Sequence, residues 1–93
     1  LNYKDMNTNV RIMIEEHANA LKRINANTAY FNNAVKNDKV SKITAANIAL
    51  LIRDYKNLAK TLETCLHNEG IEFTPDGKYY ENVAEINTSK KNG

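Results

Sequence analysis

The chain has 93 residues, 42% of them hydrophobic and 26% charged, with a formal net charge of +2. That length predicts one small domain with a marginal core, and so slight a net charge excludes polyanion binding by total charge, leaving only clustered cations as a route to it. The single cysteine, Cys65, excludes an internal disulfide and a cysteine-rich metal site; the longest apolar run, Ile48 to Ile52, is too short to cross a bilayer, and a cytoplasmic protein is the expectation.

The first periodic segment runs from about residue 7 to 37. Val10, Ile14, His17, Leu21, Ile24, Thr28, Phe31 and Val35 follow alternating steps of four and three, which predicts a long amphipathic helix with a coiled-coil-like seam. Such a helix would be ~45 Å long. Asp5, Asn7 and Thr8 are all candidate N-caps. His17 and Thr28 are the polar members of the seam, and a histidine there reads as a core or interface residue, with a pH switch or a ligand as further alternatives. Ile12 and Tyr30 fall on the opposite side and suggest either a second contact surface or two exposed hydrophobes.

From Val35 to Thr44 the apolar rhythm stops, which predicts a loop. Thr44 is the expected N-cap of a second helix, with Ile43 stapled against Ile48. That helix is predicted over residues 45–69. Ile48, Ile52, Tyr55, Ala59, Leu62 and Leu66 form one seam, and Leu51, Leu58 and Cys65 form a second row beside it. The two rows span about 140° of the helix, wider than one neighbour needs, so two neighbours are expected and Cys65 reads as a core cysteine. Gly70 is placed to end the helix in a left-handed conformation, with Ile71 closing back on Leu66.

Residues 71–80 carry a hairpin signal. Thr74-Pro75-Asp76-Gly77 fits a type I turn whose glycine also suits a bulge. Ile71–Phe73 and Lys78–Tyr80 are the expected short strands. An isolated hairpin is marginal in water, so Ile71, Phe73 and one of Tyr79 and Tyr80 are expected to pack on the wide face of the second helix. The fold class expected is thus mainly α: two long antiparallel helices (about 7–37 and 45–69), a C-terminal β-hairpin (about 71–80) and a disordered tail. In domain terms this is one helical domain over 1–86 with a flexible tail over 87–93.

Two helices packed on each other cover one stripe each, which leaves apolar surface over. Self-association or a permanent partner is therefore expected, with Leu51, Leu58, Ile12, Tyr30 and His17 as the candidate interface residues.

The sequence holds no HExxH pattern, no phosphate-binding glycine loop and no metal-ligand spacing. Cys65 and His67 are two apart on a helix and point in different directions, so they make no nucleophile–base pair. No catalytic residue, metal, cofactor or small-molecule substrate is expected. One charge pattern stands out: Arg53, Lys56 and Lys60 lie within a ~60° strip of the second helix, and Lys36, Lys39 and Lys42 add positive charge in the loop. Strip and loop together are the candidate DNA-binding residues, against the alternative of a solvated lysine face.

Residues 43–82, beginning Ile43-Thr44, with Tyr55 in mid-helix, Glu69-Gly70 at its end, then Phe73-Thr74 and Asp76-Gly77 as strand and turn, form a recognisable string. It resembles the central part of the P27-type terminase small subunits of tailed phages. Asn47 stands where that pattern has an aspartate, and Asn82-Val83 where it commonly has Asn-Pro. The resemblance implies a non-enzymatic DNA-recognition subunit that assembles as an oligomer, binds duplex viral DNA in the host cytoplasm and passes it to a large ATPase subunit. The residues alone leave room for another class, a small helical module that docks on a host protein as a regulator or inhibitor and binds no nucleic acid.

Overall fold

The computed structural model describes residues 7–82; the expected tail, and Asp5 as a candidate cap, lie outside them. Within that range the order is α1 (Thr8–Lys36), α2 (Lys42–Asn68), β1 (Ile71–Phe73) and β2 (Tyr79–Glu81). The expected architecture of two long helices followed by a two-stranded antiparallel hairpin is what the structure has.

α1 starts where a side chain can serve its exposed amides. Asn7 is the N-cap, and its Oδ1 accepts from the Asn9 N–H at 2.7 Å. The helix ends by turning left-handed without a glycine. Asp38 holds φ at 53°, and the Asp38 and Lys39 amides donate back to the Val35 and Ala34 carbonyls at 3.2 and 3.0 Å. These two bonds make a Schellman termination, for which glycine is the ordinary residue. The Asn37 side-chain amide adds a bond to the Asn33 carbonyl at 2.8 Å.

α2 begins three residues earlier than the sequence pattern suggests. Ser41, not Thr44, is the N-cap: its Oγ accepts from the Thr44 N–H at 3.1 Å. Thr44 is therefore the third helical residue and the receiver of the cap. Ile43 becomes the second, so the expected staple against Ile48 is absent and Ile43 stands 75% exposed. Ser41→Ala is expected to cost about 1 kcal/mol of stability and Thr44→Ala much less, an ordering that urea titration of both variants would check.

The helices pair antiparallel, since the start of α1 meets the end of α2. Val10, Ile14, Leu66 and Ile71 form the buried cluster, with Met13 and Tyr79 packed on it. Farther along, small residues take over: Ala20, Ala34 and Ala59 are buried, and their lack of side-chain bulk lets the helices approach. Val35, expected to continue the seam, is half exposed, and Ala34 is buried in its place.

α2 ends as expected. Gly70 has φ 79° and its amide donates to the His67 carbonyl at 2.9 Å. This places Ile71 against Leu66. Because Gly70 is buried and left-handed, Gly70→Ala is expected to cost about 1–2 kcal/mol, readable as a shifted denaturation midpoint. The hairpin turn also forms as predicted: Gly77, at φ 89°, donates to the Thr74 carbonyl at 2.9 Å. The register pairs Ile71 with Glu81, Glu72 with Tyr80 and Phe73 with Tyr79. The second strand is thus Tyr79–Glu81 rather than Lys78–Tyr80. Lys78 is held in the turn, its amide donating to the Thr74 Oγ1 at 3.1 Å. Tyr79 is the tyrosine that turns inward, and the hairpin rests on both helices rather than on α2 alone.

Candidate functional site

Three surfaces compete for a functional role: the buried histidine, the basic strip and the leftover apolar faces.

His17 is 0% exposed. Its Nε2 lies 3.0 Å from the Glu63 Oε2 on α2, and its Nδ1 lies 2.7 Å from the Tyr79 hydroxyl on β2. A carboxylate only accepts, so Nε2 carries a proton and donates. With the ring neutral, Nδ1 then accepts from the Tyr79 O–H. Phe73 closes the site with its ring 4.5 Å away, edge-on. The Tyr79–His17–Glu63 chain has the connectivity of a proton relay, yet His17 offers no atom to a substrate. Its role is mechanical: one side chain ties α1 to α2 and to the β-hairpin. The expected place of His17 at an interface is corrected accordingly, because a partner cannot touch a ring enclosed by its own chain. A second tie, from His67 Nδ1 to Glu72 Oε1, fastens β1 to the end of α2.

All six candidate DNA-binding residues are exposed: Lys36, Lys39, Lys42, Arg53, Lys56 and Lys60. The earlier start of α2 changes their grouping. Lys42 is a helical residue, and eleven residues at 100° each return it to within about 20° of Arg53. Lys42, Arg53, Lys56 and Lys60 therefore share one strip about 60° wide and ~27 Å long. Ala49, which lies between them on this face, is exposed too, and its small side chain leaves the cations accessible. Arg53 touches Asp54 at 3.2 Å, with both side chains about two-thirds exposed; such a pair contributes roughly 0–1 kcal/mol and yields readily to a phosphate. Among the described residues no carboxylate is paired with Lys42, Lys56 or Lys60. Lys36 and Lys39 flank the connection at the same end of the molecule, beside Asp38.

The apolar candidates divide. Ile12 and Tyr30 are both exposed and lie on one side of α1. They are eighteen residues apart, ~27 Å along the axis, with Asn19 and Arg23 between them on that side, so they form no common patch. Leu51 and Leu58 are 44% and 42% exposed and continue into Cys65, which is also exposed. The expectation of a core cysteine is corrected here: its row lies one step round from the α1-facing seam, and Cys65 stands exposed among the described residues.

Other chemistry finds little foothold. Among the described residues no three His, Cys, Asp or Glu side chains gather as a metal site, and no helix is long and apolar enough to cross a membrane. An open depression on α1 is lined by Glu15, Ala18, Asn19 and Lys22, a single helix surface without convergent polar groups of the sort a ligand site needs. Comparison with family models, curated proteins and solved structures finds no match to this chain.

The Tyr79–His17–Glu63 node escaped the sequence reading. Its only signal was a polar residue in an apolar seam. The gathering of Lys42 with the strip was hidden by the misplaced cap.

Proposed function

We propose that the chain is a non-enzymatic DNA-binding subunit that grips the phosphate backbone through the basic strip of α2. The observation that carries this reading is the alignment of Lys42, Arg53, Lys56 and Lys60 on one exposed helix face, with Lys36 and Lys39 extending it toward the helix connection. Cations on a rigid helix are pre-positioned, so less side-chain and backbone entropy is lost on contact than for a disordered basic tail. The reading is sequence-tolerant: lysines predominate and no aromatic side chain interleaves them, which favours duplex backbone over stacked single strands. The narrower role, a small subunit of a phage DNA-packaging machine that assembles as an oligomer and hands DNA to a large ATPase subunit, is supported by the sequence resemblance over residues 43–82.

A fluorescent DNA duplex titrated with the full chain at several salt concentrations tests the proposal. Affinity that falls steeply with salt, and that is lost when the four strip cations become alanine, supports it. A second reading, a helical module that docks on another protein, is favoured by the exposed apolar side of α2, where Asp54 is the one charged residue between Ile43 and Asn68. It predicts no salt-dependent DNA binding and a stable complex with a protein partner.

A further inference from the structure

Of the eight large hydrophobics that stand exposed among the described residues, four belong to α2: Ile43, Leu50, Leu51 and Leu58. At 100° per residue they fall on one arc of about 100°, and Cys65 falls on the same arc. Scattered exposed hydrophobes need no explanation, but a contiguous group marks an interaction face.

The face has an internal order. Ile48, Leu51, Tyr55, Leu58, Leu62 and Cys65 follow steps of three and four without a break, the spacing of a helix–helix seam. Ile48, Tyr55 and Leu62 are half-buried against α1, whereas Leu51, Leu58 and Cys65 are exposed. Two overlapping seams thus run along α2. One is filled by α1; the other is half-built and open. The β-hairpin does not reach it. The hairpin is tied to α2 directly through His67 and Glu72, and by way of His17 through Glu63; Glu63 and His67 lie about 140° and 180° round the helix from Leu58.

We infer that this open seam is where a second copy of the chain docks, α2 against α2, antiparallel about a two-fold axis at Leu58. Charge selects both the occupant and the direction. The side of α2 that carries the seam holds one charged residue from Ile43 to Asn68, Asp54, in a chain that is 26% charged. A face almost without charge neither attracts a highly charged partner nor repels its own copy, and an isologous contact brings the same patch together with itself. Leu58 is the midpoint of Leu51, Leu58 and Cys65. Antiparallel pairing there sets Leu58 against its own copy and Leu51 against Cys65 of the other chain. It also separates the two Asp54 carboxylates by about 12 Å along the axis. Parallel pairing would place them side by side. The contact closes at two, and it leaves both basic strips free, because each strip lies about 170° round α2 from the seam. The inference does not depend on the DNA-binding reading.

The mass of the full chain by sedimentation equilibrium across the micromolar range tests it. Twice the 10.5 kDa chain mass is expected for the natural chain. The double variant Leu51→Asp, Leu58→Asp is expected to weaken the dimer at least ~100-fold, since each loses the burial of one leucine per chain. Both leucines are exposed in the single chain, so helical circular dichroism should survive; if it does not, cross-linking decides. With Cys65→Ser in place, Leu58→Cys should link to itself on mild oxidation. Leu51→Cys should link to a retained Cys65, and Cys65 alone should not link to itself. A monomer at every concentration, a dimer indifferent to Leu51 and Leu58, or ready linkage of Cys65 to its own copy would overturn the inference. So would a monomer whose seam is covered by a different protein. The alanine variant of the basic strip must dimerise as before, so failure here and failure of DNA binding are separate results.

Discussion

His17→Ala is expected to lower the unfolding free energy by about 3–4 kcal/mol, measured by urea denaturation at fixed protein concentration. The ring is fully enclosed, so its removal leaves a cavity comparable to those that cost 2–5 kcal/mol elsewhere. It also strips partners from the Glu63 carboxylate and the Tyr79 hydroxyl, at about 1 kcal/mol or more each where they stay desolvated. Glu63 is 35% exposed at its side chain and recovers part of this from water, which keeps the sum at the lower end. Against a total of about 5–15 kcal/mol for an ordinary domain, such a loss threatens the fold. The graded variants distinguish the two bonds. Tyr79→Phe should cost about 1–2 kcal/mol, because Nδ1 is left buried without a donor. Glu63→Gln should cost less, since an amide oxygen still accepts from Nε2. A cost below about 1 kcal/mol for His17→Ala would mean the ring is not what joins the three elements.

That node shows where sequence reading stops. The long helices were legible because periodicity is local: Val10, Ile14 and Leu66 sit in the buried cluster that their spacing assigns them. Gly70 and Gly77 were legible because a left-handed backbone favours glycine. Asp38, which adopts the same conformation, gave no comparable signal. The cap of α2 was misread because Ser41 and Thr44 are chemically alike and three apart, so each can play donor's neighbour or acceptor. Glu63 and Tyr79 lie 46 and 62 residues from His17 along the chain, and no local pattern encodes which tyrosine or glutamate will arrive. Cys65 misled for a related reason: a row of apolar residues declares that it wants cover, not whether the same chain supplies it.

Replacing Lys42, Arg53, Lys56 and Lys60 together with alanine is expected to remove most of the salt-sensitive part of DNA binding. If each cation neutralises one phosphate, these four contribute about −3.6 to the slope of log affinity against log salt, so their share alone weakens the natural chain roughly 100-fold as salt rises from 50 to 200 mM. The variant's slope should be shallower by that amount, leaving only what Lys36 and Lys39 supply. Lys42→Ala alone should reduce the slope by about 1, and it is the discriminating single change: Lys42 belongs to the strip only because Ser41 starts α2 early. A loop lysine without fixed geometry would contribute less. Stability should hardly move, since all four side chains are exposed and surface substitutions of this type usually stay within about 0.5 kcal/mol. Arg53→Ala has a further reading, because it frees Asp54 from its 3.2 Å contact and leaves an uncompensated carboxylate about 100° round α2 from the edge of the strip, near enough to repel phosphate at low salt. Its loss should therefore exceed that of Lys56→Ala or Lys60→Ala, and Asp54→Asn should tighten binding. Equal effects from all four, with none from Asp54→Asn, would indicate diffuse charge attraction rather than a strip that tracks the backbone. An unchanged affinity in the fourfold variant would remove α2 from any DNA interface.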